Sequence, residues 1–165
     1  MKTGILALIT TAIVLSACSA SSSTAKKEKN AAAFEQTASL IENGNYLFTV
    51  RSASPSGGKT IQITSEYTLK ASDGNFEAHL PYFGRAYSGG YGESQSVEFN
   101  GEPEDLEIAR KENKNNISVS FTIKSGSDQY TVNLVVGASG YGTLTISNPK
   151  KQSITYYGLA SELKD

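Results

Sequence analysis

The sequence predicts an all-β domain, an antiparallel sandwich or barrel of eight to ten short strands preceded by one short N-terminal helix. Three observations carry that expectation. Apolar and polar residues alternate over most of the chain, the period of half-buried strands. Turn residues interrupt the alternation at short intervals, and fifteen of the 165 residues are Gly. After the first helix, no stretch has the length and period of the crossover helix that parallel strands need. The length suits a single domain with its own core.

The elements follow in order. Asn30 is a candidate N-cap for a helix over residues 31–43, with Gly44 as its stop. Phe34, Ala38 and Ile41 fall on one side at helical spacing, with Thr37 and Leu40 beside them, so this stripe should cover part of a sheet. From Asn45 the period changes to two. Tyr46, Phe48 and Val50 alternate with Leu47 and Thr49, and Ile61, Ile63, Tyr67 and Leu69 with polar neighbours. Asp73-Gly74 reads as a two-residue hairpin turn, because both residues tolerate positive φ, and it leads into Phe76, Ala78 and Leu80. Val97 and Phe99, then Leu106 and Ile108, continue the pattern. The clearest pair is Ile117-Val119-Phe121-Ile123 and Tyr130-Val132-Leu134-Val136 around a turn at residues 125–128. Leu144 and Ile146 follow a turn at residues 137–140, and Ile154 and Tyr156 follow one at residues 148–151.

Composition removes whole classes of function. Fifteen Lys+Arg against sixteen Asp+Glu leave a net charge of -1, which gives no field for nucleic acid. With one Cys, one His, one Met and no Trp, zinc clusters, disulfide frameworks, Cys–His proteases and iron–sulfur centres lack their residues. No metal and no cofactor is expected.

The amino terminus supplies an address. Lys2 precedes the mostly apolar residues 5–15, which as a helix would span about 16 Å, half the hydrocarbon core of a bilayer. Residues 1–17 therefore read as an export signal. Leu15-Ser16-Ala17-Cys18 resembles the lipobox of bacterial lipoproteins. That resemblance implies cleavage before Cys18 and lipidation of its sulfur, which would tie the protein to a membrane. Residues 18–30 are small and polar, with Lys26, Lys27 and Lys29 among them, and read as a flexible lipidated tether. Residues 31–165 are then one β-rich domain.

Several motifs invite a chemical reading. Residues 53–60, Ala-Ser-Pro-Ser-Gly-Gly-Lys-Thr, resemble a degenerate phosphate loop, but Ile61-Gln62-Ile63 continues as a strand and opens no helix amino terminus. A β-turn is the better reading. His79 alternates with Ala78 and Leu80 and should face outward, away from any triad. Glu102, Glu104, Asp105 and Glu107 offer carboxylates for glycoside chemistry or a weak calcium site, but their spacing matches no calcium loop. No catalytic residue is assigned, and the protein is expected not to be an enzyme.

Residues 80–92 stand apart. Tyr82, Phe83, Tyr87 and Tyr91 share thirteen residues with four Gly and with Arg85. Either these rings plug one end of the sheet as a packed corner, or they form a ligand-binding lip in which rings stack on a ligand and Arg85 pairs with an anion. Tyr82, Phe83, Arg85, Tyr87 and Tyr91 are the candidate binding loop.

The same stretch carries a family resemblance. Leu80-Pro81-Tyr82-Phe83-Gly84-Arg85-Ala86-Tyr87 is similar to the hallmark of the DUF4251 family, a domain of unknown function in exported proteins of Bacteroidetes. Asn45-Tyr46-Leu47-Phe48, Glu66-Tyr67-Thr68-Leu69, Val97-Glu98-Phe99 and Gln152-Ser153-Ile154-Thr155-Tyr156-Tyr157-Gly158 extend the likeness over most of the mature chain. The resemblance implies an all-β domain of an envelope lipoprotein and carries over no catalytic residue. The expected location is the outer membrane, facing the periplasm.

The leading expectation is a membrane-anchored, non-catalytic binding or scaffolding module for an envelope protein, glycan or small ligand. A carrier of small apolar ligands with a barrel cavity is the alternative, ahead of a glycan-acting enzyme using carboxylates near Glu98 and Glu107. The address is directly testable. Cells fed radiolabelled palmitate should label the wild-type protein, and Cys18→Ser should abolish the label. Equal labelling of both would contradict lipidation at Cys18.

Overall fold

In the computed structural model, residues 20–85, 87 and 96–163 are described. The export signal, Cys18 and Tyr91 lie outside them. Helix α1 (Ala20–Glu42) comes first. It begins ahead of the expected residue 31 and runs through most of the segment read as a flexible tether. The physical reason is composition: Ala, Lys and Glu dominate residues 25–33, which hold no Gly or Pro to stop a helix. Asn30 lies inside the helix and caps nothing. Residues 25–32 are exposed, whereas Phe34, Ala38 and Ile41 are buried as their spacing requires. No helix among the described residues is long and apolar enough to cross a membrane.

The strands are β1 (Tyr46–Pro55), β2 (Ile61–Gln62), β3 (Thr68–Ser72), β4 (Asn75–Pro81) and β5 (Ser96–Gly101). Then follow β6 (Glu104–Lys111), β7 (Asn116–Ser125), β8 (Asp128–Gly137), β9 (Tyr141–Asn148) and β10 (Lys151–Glu162). They form one antiparallel sheet in the order β5-β4-β3-β1-β10-β9-β8-β7-β6, with β2 on β1. Nearly every connection is therefore a hairpin; the long-range link is the pairing of β1 with β10, Tyr46 opposite Glu162. Asp73 (φ 50) and Gly74 (φ 84) make the hairpin turn as expected, and the Asp73 amide donates to Asn45 Oδ1 at 3.1 Å.

The strand expected over Ile61, Ile63, Tyr67 and Leu69 is broken instead. β1 carries a register shift between Val50 and Ser52. Ile63 N bonds Arg51 O at 2.9 Å, while Val50 N bonds Tyr67 O at 2.9 Å. Residues 63–67 cross the bulge without a continuous ladder.

Strand alternation gives this sheet one apolar face, and the sheet curls into a half-barrel to bury it. Phe76 on β4 meets Phe121 on β7 with ring centroids 4.2 Å apart, and Phe99 on β5 meets Phe121 edge-on at 6.3 Å and Tyr130 at 5.8 Å. Fully buried Phe48, Leu69, Leu134, Leu144 and Tyr156 fill the concavity, each such side chain contributing about 1.5–3 kcal/mol. The α1 stripe covers the β7–β8 side, and Thr37 Oγ1 donates to Ala138 O at 3.1 Å. Arg110 on β6 clamps the same helix. Its Nη1 donates to Glu35 Oε2 at 3.0 Å and its Nε to Glu42 Oε1 at 2.6 Å, and this bond holds the Glu42 carboxyl below its ordinary pKa.

Close packing explains two glycines. A Cβ at Gly158 would collide with Thr49 O and lie 2.9 Å from Phe48 Cζ. At Gly142 it would lie 2.6 Å from Val135 O. β6 forms one edge and is exposed at every position but the half-buried Ala109, Leu106 and Ile108 included, although both continue the apolar alternation. Its charges, Glu104, Asp105, Glu107, Arg110 and Lys111, guard that edge against further pairing.

Candidate functional site

The chain leaves β4 at Pro81 and turns a corner that separates the candidate loop residues. Tyr82 goes inward and is 9% exposed. Its hydroxyl donates to Gln152 O at 2.8 Å, with Arg85 O 3.0 Å away. Only Gly permits this fold at residue 84, because a Cβ there would strike the Tyr82 hydroxyl and lie 2.6 Å from Cζ. The corner is then laced to β10: Gln152 N donates to Arg85 O at 2.9 Å, Arg85 N to Gln152 Oε1 at 3.3 Å, and Tyr87 N to Lys150 O at 2.8 Å. Below it, the Tyr156 hydroxyl donates to Pro81 O at 2.9 Å.

A charged girdle supports the corner from behind. Lys151, 6% exposed, sets its ammonium 5.8 Å from the Tyr82 ring centroid and 3.9 Å from Asp128 Oδ2. Lys150 Nζ donates to Asp128 Oδ1 at 3.1 Å and to Ser127 O at 2.7 Å. Burial raises the Asp128 pKa, but the hydrogen bonds from Lys150 and Asn148 outweigh it, and the carboxyl sits below its ordinary value.

Phe83, Arg85 and Tyr87 face the other way. Phe83 is 43% exposed and Tyr87 is 72% exposed. Phe83 and Arg85 join Gln152 and residues 55–58 around a cleft of about 360 Å³. Its far wall is the β-turn once compared with a phosphate loop: Gly58 N donates to Pro55 O at 2.9 Å, and Gly57 has φ +74. The Gln152 Nε2 group closes the floor by donating to Ser56 O. Among the described residues, the Arg85 guanidinium has no hydrogen-bond or ion-pair partner. Tyr87 does not line the cleft. Sequence reasoning named Phe83 and Arg85 but missed Gln152 and residues 55–58 as their companions, because the β1–β10 pairing alone brings these three segments together.

Other groups are arranged less favourably. His79 points outward, with Nδ1 3.2 Å from Glu98 Oε1 and both side chains exposed. Glu104 is engaged by Lys124 at 2.9 Å. Among the described residues, no group of three His, Cys, Asp or Glu side chains is placed to hold a metal ion. A wider concavity, about 850 Å³ between the end of α1 and the end of β10, is an open groove lined by Gln36, Asn43, Asn45 and Glu162 among others. Among the described residues it has no aromatic ring and no cation, so it lacks the paired recognition chemistry of the Phe83–Arg85 cleft.

Fold and corner together define a class: a curled antiparallel half-barrel with a helix across its concave face. The chain belongs to the DUF4251 family, whose model, described as "Domain of unknown function (DUF4251)", matches residues 28–160. The crystal structure of a DUF4251 family protein from Bacteroides eggerthii DSM 20697 has the same fold, with a TM-score of 0.63 and 16% identity. The match covers 82% of this chain and 91% of that one. No curated protein matches the chain.

The buried phenols make the packing visible to pH. Burial pushes Tyr130 up to about 12, aided by Asp128, and raises Tyr46, Tyr82 and Tyr156 above their ordinary 10.0. A raised folded-state pKa means that the stability is fully present below pH 10 and is lost as pH climbs towards the folded values. Urea midpoints should therefore be level up to about pH 10 and fall between 10 and 12, with late tyrosinate absorbance appearing as the protein unfolds. Ionisation of all nine tyrosines near pH 10 in a still-folded protein would contradict this packing.

Proposed function

We propose that this protein is a lipid-anchored envelope protein whose half-barrel is a non-catalytic binding module. Its ligand seat is the cleft between residues 55–58 and residues 83–85. The observation that carries this reading is the division of labour at the corner. Tyr82 is spent on packing, yet the next aromatic ring and the next cation face outward across a preformed cleft, and the Arg85 guanidinium is unpaired among the described residues. An exposed ring beside a free guanidinium recognises an apolar group joined to an anion, such as a carboxylate, through a charge-assisted bidentate pair. The hydrogen bonds around Gln152 hold both walls before any ligand arrives, which lowers the ordering cost of binding.

The Cys18 lipobox supports the anchor. With α1 starting two residues later, the lipid would pass directly into a helix rather than a slack tether. The outer membrane, on its periplasmic face, is the proposed location.

A photo-crosslinking residue in place of Phe83 tests the seat in intact cells. The expected result is a discrete crosslinked species whose yield falls at least fivefold when Arg85→Ala is added, with the thermal midpoint unchanged. The same crosslinks at the same yield in the Arg85→Ala background would contradict an anion seat at this cleft.

A further inference from the structure

The convex face of the sheet carries a second, separate feature. Its centre is hydroxyl-rich and uncharged. Reading across the strands, Ser120, Asn133, Thr145 and Thr155 stand in one row from β7 to β10. The neighbouring row is Ser118, Val135, Thr143 and Tyr157. Among the described outward positions inside β7 to β10, Lys124 at one margin is the only charge. Elsewhere charge is abundant: β6 carries five charged residues, and Lys70, Glu77 and Glu98 stand on β3 to β5. The chain as a whole is 19% charged, so an uncharged face four strands wide is a local departure from its own surface.

Two large rings rise from this face. Tyr141 and Tyr157 are 47% and 48% exposed, stacked with centroids 5.8 Å apart and planes 8° apart. They lie diagonally across β9 and β10, since Tyr157 is opposite Thr143 and Tyr141 opposite Leu159. The hydroxyls beside them are held in line by one another, Thr145 and Thr155 at 3.3 Å and Ser147 and Ser153 at 3.2 Å. Each retains acceptor capacity toward an incoming group.

We infer that this face binds a neutral polysaccharide. The uncharged rows offer nothing to a nucleic acid, an anionic lipid or a charged protein patch. They are also too polar for a second copy to stack sheet on sheet, because Val135, Leu159 and the two tyrosines are too few to form a dry interface core. A neutral sugar chain fits both properties. Its apolar ring faces lie against Tyr141 and Tyr157, and its hydroxyls exchange hydrogen bonds with the Thr, Ser and Asn rows. Four strands span about 14 Å, room for an extended chain rather than a single sugar. This site is independent of the Arg85 cleft and does not rest on it.

Native affinity electrophoresis of the full chain in a sugar-free non-ionic detergent tests the inference. The gels contain laminarin, yeast mannan or xyloglucan, with polygalacturonate as the charged control. At least one neutral polymer should retard the wild type, and polygalacturonate should not. Tyr157→Ser should lower the apparent affinity at least fivefold, and so should Thr145→Lys, which places a charge in the middle of a row. Glu77→Gln on β4, outside these four strands, should keep the wild type's apparent affinity, each variant being referred to its own mobility in a sugar-free gel. No retardation in any neutral gel, or equal retardation of both face variants and the wild type, would overturn the proposal. So would a sugar-free dimer in sedimentation velocity that Tyr157→Ser dissolves, since the face would then belong to a second copy.

Discussion

A sheet with one apolar face has to hide that face, and here it does so by closing on itself. The contact that closes it is aromatic. Phe121 on β7 receives Phe76 from β4 and Phe99 from β5, strands from the opposite half of the sheet. Everything else depends on that closure. It creates the concavity that Phe34, Ala38 and Ile41 of α1 cover. It also leaves β5 and β6 as edges, so that β6 has to be polar and charged.

The same closure sets the corner at Pro81. Because β4 is drawn over the core, the chain leaves it beside the start of β10, and Tyr156 can reach Pro81 O from below. Tyr82 then completes the core and satisfies its hydroxyl on the backbone of β10. What remains outside, the Phe83 ring and the Arg85 guanidinium, stands on a backbone that hydrogen bonds tie to β10. In the proposed seat these would be the binding groups, carried on a scaffold as ligand sites generally are. The convex face follows the same logic on a larger scale: packing occupies one side of every strand and leaves the other side free to carry a regular pattern.

Much of this was legible in the sequence because strand period and turn chemistry are local properties. The alternation through Ile117, Val119, Phe121 and Ile123, and the Asp73-Gly74 turn, needed no partner to be recognised. Three features were not legible. The helix start was misplaced because Asn30 has the chemistry of a cap, while the surrounding Ala, Lys and Glu favour helix on both sides of it. The break after Ile61 follows from a bulge in β1, a feature of the partner strand. The choice between sandwich and barrel turned on contacts among Phe76, Phe99 and Phe121, which no local pattern encodes. At the site, Phe83 and Arg85 were visible as an odd cluster, but Gln152 and the glycine turn join them only through β1–β10 pairing. Which of two adjacent rings turned inward was decided by Gly84, whose missing side chain makes room for Tyr82.

The dependence of the fold on its aromatic closure is most directly measured by a double-mutant cycle on Phe76 and Phe121, each replaced by Leu, using urea unfolding. Rings 4.2 Å apart across the two halves of one sheet should be coupled by about 0.5–1.5 kcal/mol, with an unchanged urea slope and a single transition. Additive single losses, or a transition that splits so that β3–β5 unfold apart from β7–β10, would show that the halves fold without each other and that closure is not what holds the structure together.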